Sequence, residues 1–185
     1  MPLKIYIAGP DVFYPDAVEV GIAKRKICEK HGFKGIFPLD LLPNDLFTSK
    51  YDHNQQAKII QKACIDGIRD CDILVANMTP FRGTGMDNGT AVEMGAAHMI
   101  NKPVFGYSAD GRSYLDKVVS AQGDCTVSEG SSYDSKGQLI EDFNKIDNCM
   151  TTESCEALFL PSSKNETHLQ LFEKTIIHIK ETFNV

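Results

Sequence analysis

Two hydrophobic periods alternate along the chain. Short β-branched and aromatic runs at residues 3–8, 36–38, 72–77, 103–107 and 156–160 predict strands, and longer stretches with 3/4 spacing between them predict helices. The first run stops at Gly9-Pro10-Asp11. Pro15 and Asp16 then open a helix whose inward face is assigned to Val20, Ala23 and Ile27, with Lys24, Arg25, Lys26 and Glu29 facing out and Gly32 closing it. A second helix over about 55–70 places Ala57, Ile60, Cys64 and Ile68 on one face. A third starts at Thr90, a fourth covers about 114–121, and Leu169, Phe172, Ile176, Ile179 and Phe183 mark an amphipathic closing helix. Residues 39–54 are long and irregular for a βα connection, which predicts a substrate loop. Residues 122–136, rich in Gly, Ser and Asp, read as a mobile excursion.

Strands that alternate with helices imply parallel order and right-handed crossovers. The expected fold is α/β: one doubly wound, flavodoxin-like parallel sheet of five strands in the order 2-1-3-4-5, helices on both faces. Residues 1–185 are expected to form a single domain, of a size that buries roughly 70% of its unfolded surface. In this topology the loops after strands one and three flank the ligand crevice. Tyr6, Gly9, Asp11 and Phe13 are then expected to face Asp87 and Glu93 across it.

Composition removes several function classes. The formal net charge is -6 with Lys and Arg scattered, so no nucleic-acid footprint is expected. Met1-Pro2-Leu3-Lys4 runs directly into a strand without a signal-type segment, and no apolar run is long enough to span a membrane, so a cytoplasmic protein is expected. The six cysteines form no Cys-x-x-Cys, and the five histidines are isolated from one another. Reduced thiols, no metal and no cofactor are the expectation.

The informative stretch runs from Asp72 to Ala97: an apolar strand, the Gly-rich loop Thr79-Pro80-Phe81-Arg82-Gly83, then Asp87-Asn88-Gly89-Thr90-Ala91-Val92-Glu93-Met94-Gly95. Helix N-termini at such crevices usually receive anions. Here Asp87 and Glu93 supply negative charge instead, which suits a neutral or electron-poor ligand attacked by a carboxylate. Thr90-Ala91-Val92-Glu93 equally matches a capping box, in which Glu93 would only satisfy a backbone N–H. Gly89 reads as relief for a tight turn, and Gly95-Ala96-Ala97 as close helix–sheet packing. Without Lys and Ser/Thr after its last Gly, the loop is no phosphate cradle.

Tyr6-Ile7-Ala8-Gly9-Pro10, Phe13, Phe81-Arg82-Gly83 and Asp87-x-Gly89-Thr90-Ala91-x-Glu93-x-Gly95 together resemble the nucleoside 2-deoxyribosyltransferases over nearly the whole chain. That resemblance implies exchange of the nucleobase of 2′-deoxynucleosides in nucleoside salvage, by two displacements at the anomeric carbon. It makes Glu93 the nucleophile, places Asp87 in the substrate site, lets Tyr6 orient Glu93, and sets Gly9, Phe13 and Gly89 around the substrate. Asn148-Cys149-Met150 matches a late Asn-x-Met that, in the family, completes the site of a neighbouring subunit, which implies a homo-oligomer. Asp147 stands where an apolar residue is expected. Cys64 occupies a position where some relatives carry Asp or Asn, with Asp66 the nearby alternative.

Two rivals differ in class. One is a hydrolase of deoxynucleoside 5′-monophosphates on the same fold; against it, Asp11 and Asp87 are expected to place negative charge near a phosphate without a basic partner. The other is a non-catalytic nucleoside-binding module, in which Glu93 would be only a cap.

Overall fold

The computed structural model describes residues 1–123 and 125–185; Asp124, inside the predicted excursion, lies outside the described residues. In chain order, β1 (Lys4–Ala8), α1 (Ala17–Lys30), β2 (Lys34–Ile36), α2 (His53–Asp70), β3 (Ile73–Asn77), α3 (Asn88–Met99), β4 (Val104–Tyr107) and α4 (Tyr114–Gln122) form the first part. Three short strands follow, β5 (Thr126–Ser128), β6 (Ser131–Tyr133) and β7 (Leu139–Ile140), then α5 (Cys149–Thr152), β8 (Ala157–Phe159) and α6 (His168–Phe183). The principal sheet has five parallel strands in the order β2-β1-β3-β4-β8, which is the expected doubly wound arrangement. β2 lies upstream of the predicted 36–38, because Pro38 lacks an N–H and opens a short 3-10 turn, Pro38–Leu41.

Side chains of β1 alternate between two cores. Ile5 and Ile7 join Cys28 of α1 and Leu171, Phe172, Ile176 and Ile179 of α6 on one face. Tyr6 and Ala8 join Ile68 of α2 and Met94 and Ala97 of α3 on the other. Period-2 alternation thus directs Tyr6 toward the two helices that carry Cys64 and Glu93.

One sequence expectation is overturned on α1. Its buried face is Ala17, Val20, Gly21, Lys24 and Cys28, so Lys24 is fully buried rather than solvent-facing. Its Nζ donates to Asp11 Oδ2 at 2.7 Å and lies 5.4 Å and 5.2 Å from the ring centroids of Tyr107 and Phe172. Burial pulls the Lys24 ammonium below its usual range while Asp11 opposes that shift. Asn77 Nδ2 donates to both Asp11 oxygens at 3.3 and 3.2 Å, its Oδ1 accepts from Thr79 N and Oγ1, and Thr79 Oγ1 accepts from Ala109 N at 3.0 Å. The loops after β1, β3 and β4 are therefore tied through one buried polar node. Gly9 is required beside it: a Cβ there would sit 2.5 Å from Asp11 Oδ2 and 2.8 Å from Asn77 Cβ.

Residues 126–140, which overlap the predicted excursion and run past it, carry secondary structure that their composition did not predict. β5, β6 and β7 form an antiparallel sheet, Ile140 is buried, and Ile146 inserts into the α2/α3 core. Polar composition concealed this because strands this short bury few side chains.

Removing one member of a buried ion pair leaves an uncompensated charge, at a cost of about 3–5 kcal/mol. Lys24→Met is expected to lose stability in that range. Lys24→Met combined with Asp11→Asn, which keeps an acceptor for Asn77, is expected to recover most of the loss in urea denaturation. Additive losses in the cycle would show that the pair is not coupled.

Candidate active site

Glu93 is not a capping residue. α3 begins at Asn88 with Asp87 as its N-cap: Asp87 Oδ2 accepts from Thr90 N at 2.8 Å and from Thr90 Oγ1 at 2.9 Å. The helix thus starts earlier than Thr90, and Glu93 falls more than a turn inside it, free of any capping duty. Instead, the Tyr6 hydroxyl donates to Glu93 Oε1 at 2.6 Å, across elements 87 residues apart in sequence. Gly67 of α2 makes this possible, since a Cβ there would meet the Tyr6 ring at 3.0 Å and Leu41 at 2.5 Å.

The electrostatics suit a poised carboxylate. Burial pushes Glu93 up to about 7; the Tyr6 and Cys64 donors pull against that shift, and the nearby Asp87 charge adds to it. Tyr6 is held well above its ordinary range by burial and by the Glu93 charge, so it remains a neutral donor. Cys64 on α2 is also raised, chiefly by burial, and stays a thiol. Asp66, by contrast, is engaged by Lys62 and Arg69 at the surface. Cys64, rather than Asp66, is therefore the α2 residue beside Glu93.

Asp87 has one oxygen committed to its cap, and Asn88 and Gly89 follow as the first helical residues. Gly89 is helical rather than a tight turn; a Cβ there would stand 3.1 Å from Asp87 Oδ2. Gly95 faces open space, so close packing on this side belongs to Ala97 and not to Gly95.

The outer rim is aromatic and basic. Phe13 stacks on Phe81 with centroids 5.4 Å apart, and the Arg82 guanidinium lies 4.6 Å from the Phe81 ring and 5.4 Å from the Phe13 ring. Phe13 is 55% exposed, whereas Asp11, two residues earlier, is 1% exposed and paired with Lys24. Asp11 therefore does not face the crevice, contrary to expectation. It cannot supply the charge expected to repel a phosphate, and Arg82 brings a cation to the same rim. A cavity of about 310 Å³ is lined by Phe81, Arg82, Gly85, Met86, Asp87 and Asn88.

Asn148 and Met150 lie on a segment docked against the Asp87 loop. Asp147 explains the docking: buried, it accepts from Met86 N and from Asn148 N, each at 2.8 Å. Nothing in the sequence pattern signals that role. Asn148 caps α5 and donates to Glu141 Oε1 at 2.6 Å, and Met150 is 79% exposed. Among the described residues no hydrogen bond joins Asn148 to Tyr6, Asp87 or Glu93. No three His, Cys, Asp or Glu side chains converge to hold a metal ion among those residues, and no helix is long and apolar enough to cross a membrane.

Residues 5–150 match the family described as Nucleoside 2-deoxyribosyltransferase. Uncharacterized protein C191.05c of Schizosaccharomyces pombe is 30% identical over 159 residues, 80% of this chain and 74% of that protein. Among solved structures, a 2-desoxiribosyltransferase from Leishmania mexicana superimposes with a TM-score of 0.63 at 26% identity, covering 96% of this chain and 99% of the other. The 2-deoxyribosyltransferase of Bacillus psychrosaccharolyticus has the same fold, with a TM-score of 0.53 at 19% identity over 91% and 95% of the two chains.

The raised Glu93 has a stability consequence whose sign follows from linkage. With a folded value of about 7 against an ordinary 4.5, the folded state binds the proton more tightly. The associated stability is complete below about 4.5 and lost as pH rises through about 7. Glu93→Gln retains an acceptor for Tyr6 without the charge. It is expected to exceed the unmodified protein in stability by roughly 1–3 kcal/mol at pH 8, with the gap closing toward pH 4.5. Denaturant titrations at the two pH values measure this; a gap of equal size at both would assign it to packing.

Proposed function

Because this chain belongs to the nucleoside 2-deoxyribosyltransferase family, we propose that it exchanges the nucleobase of 2′-deoxynucleosides through a covalent deoxyribosyl-Glu93 intermediate. The observation that carries this reading is the 2.6 Å hydrogen bond from Tyr6 to Glu93. It holds in place a carboxylate that also faces the Cys64 thiol, orienting the group for attack on the anomeric carbon. As the base departs, positive character grows at that carbon; ionised Glu93 stabilises it and then forms the C–O bond. The C–N bonding pair leaves with the base, which takes a proton. An incoming base displaces Glu93 in turn, so two inversions retain configuration.

Asp87 either holds the sugar or relays the proton near the base. Phe13 and Phe81 offer a π-face to the ring of the base, and Gly9 and Gly89 border the sugar site. This scheme requires no metal or cofactor. Met150 and Phe143 are largely exposed apolar side chains on one segment, 79% and 61%, which supports its docking in a neighbouring subunit of a cytoplasmic homo-oligomer.

The hydrolase reading retains one specific support: with Asp11 buried and Arg82 on the rim, a 5′-phosphate meets less repulsion than the sequence suggests.

Glu93→Ala is expected to lower kcat by at least about 10³-fold with the fold retained. The unmodified protein given deoxyadenosine without an acceptor base should gain a deoxyribosyl mass on the peptide containing Glu93. Full activity in the Ala variant would remove the nucleophile assignment. Faster base release from deoxyadenosine 5′-monophosphate than from deoxyadenosine would favour the hydrolase.

Sharing of Asn148 is tested by complementation. Glu93→Ala and Asn148→Ala subunits, each nearly inactive, are expected to regain activity when dissociated and reassembled together. Verified hybrids as inactive as their folded parents would restrict Asn148 to its own subunit.

A further inference from the structure

A second cavity, of about 290 Å³, lies between residues 80–84 and α4, behind the loop that carries Phe81 and Arg82. Lys117 lines it, is 3% exposed, and its Nζ has no hydrogen-bond partner among the described residues. The carboxylates whose charge reaches Lys117 are those of Asp147 and Asp110. Both are committed elsewhere: Asp147 to Met86 N and Asn148 N, and Asp110 to the Arg112 guanidinium and backbone. A buried ammonium without a partner is unfavourable, and either loss of its proton or an incoming anion relieves it.

The walls favour the anion. Besides Lys117 they present Arg112, the hydroxyl residues Ser120 and Thr84, and Gly83, with no Asp or Glu among the lining residues. On a chain of net charge -6, a cavity walled by the unpartnered Lys117 ammonium, by Arg112, whose Nε and Nη2 Asp110 engages, and by two hydroxyls, with no acid in the lining, favours an oxyanion.

We propose that this cavity is a binding site for a phosphate-type oxyanion, with Lys117 as the charged anchor and Arg112, Ser120 and Thr84 as further donors. The anion is either free phosphate or the phosphate group of a nucleotide. Thr84 lies three residues before the α3 cap Asp87, and Met86 between them is pinned by Asp147, so an occupant would stiffen the segment that holds Asp87.

The test is calorimetric and thermal-shift titration of the full chain with inorganic phosphate, deoxyadenosine 5′-monophosphate and deoxyadenosine, against chloride at equal ionic strength. Phosphate should raise the unfolding midpoint where chloride does not, and the monophosphate should do so in a Lys117-dependent way. Any shift caused by deoxyadenosine, which occupies the proposed active site, should be the same in the Lys117 variant. Lys117→Met should weaken binding at least about tenfold, as expected for loss of a charge-assisted hydrogen bond, while the exposed Lys26→Met should not. A response to both phosphates identifies free phosphate as sufficient; a Lys117-dependent response to the monophosphate alone assigns the anion to a nucleotide. If Lys117→Met fails to fold, Thr84→Ala with Ser120→Ala must weaken binding instead. Phosphates that act no differently from chloride, or that stabilise the variants as much as the unmodified protein, would overturn the site.

Discussion

The Lys24–Asp11 ion pair is the constraint on which the crevice depends. It is buried on both sides, and Asn77 extends it from the loop after β1 to the loop after β3, with Thr79 carrying the tie on to the loop after β4. In a parallel sheet these loops converge beyond the carboxyl ends of the strands but share no ladder hydrogen bonds there. Something other than the sheet must fix their spacing, and here it is a charge that cannot be left unpaired. Such pairs contribute little net stability, yet they penalise every arrangement that separates them. The geometry of Phe13 and Phe81 at the rim follows from loops held in this way.

The carboxylate on the other side of β1 is tuned by the opposite means. Glu93 receives donors from Tyr6 and Cys64 and no cation, so burial dominates and the group is pushed up to about 7. A fully compensated carboxylate would be more stable and a poorer nucleophile. The protein therefore keeps one acid paired, which holds loops, and another under-compensated, which accords with the nucleophile role proposed for it. They belong to opposite sides of the sheet, because adjacent β1 side chains point to opposite faces, toward α1/α6 and toward α2/α3.

The segment from β5 to α5 shows how a polar stretch becomes ordered without a large core. Asp147, buried between the Met86 and Asn148 amides, links the Asn148–Met150 segment to the loop that caps α3. Ile146 provides the adjacent apolar anchor. Movement of that segment is thereby coupled to the position of Asp87.

Much of this protein was determined by sequence alone. Strand and helix periods implied the five-stranded order, since parallel strands permit few right-handed windings, and the coupled Tyr-x-Ala-Gly-Pro and Asp-x-Gly-Thr-Ala-x-Glu motifs marked Tyr6, Asp87 and Glu93. Only tertiary structure decided their surroundings. Thr90-Ala91-Val92-Glu93 is locally a good capping box, and it is Tyr6, distant in sequence, together with Asp87 as the actual cap, that frees Glu93 for another task. The position of Lys24 in step with Val20 and Cys28 was a legible signal of burial, but a lysine enters a core only when a partner such as Asp11 arrives from another element. Asp11, Asp147 and Lys117 are likewise charged residues whose burial is set by elements that only the fold brings together, and contacts of that kind leave no periodic trace along the chain.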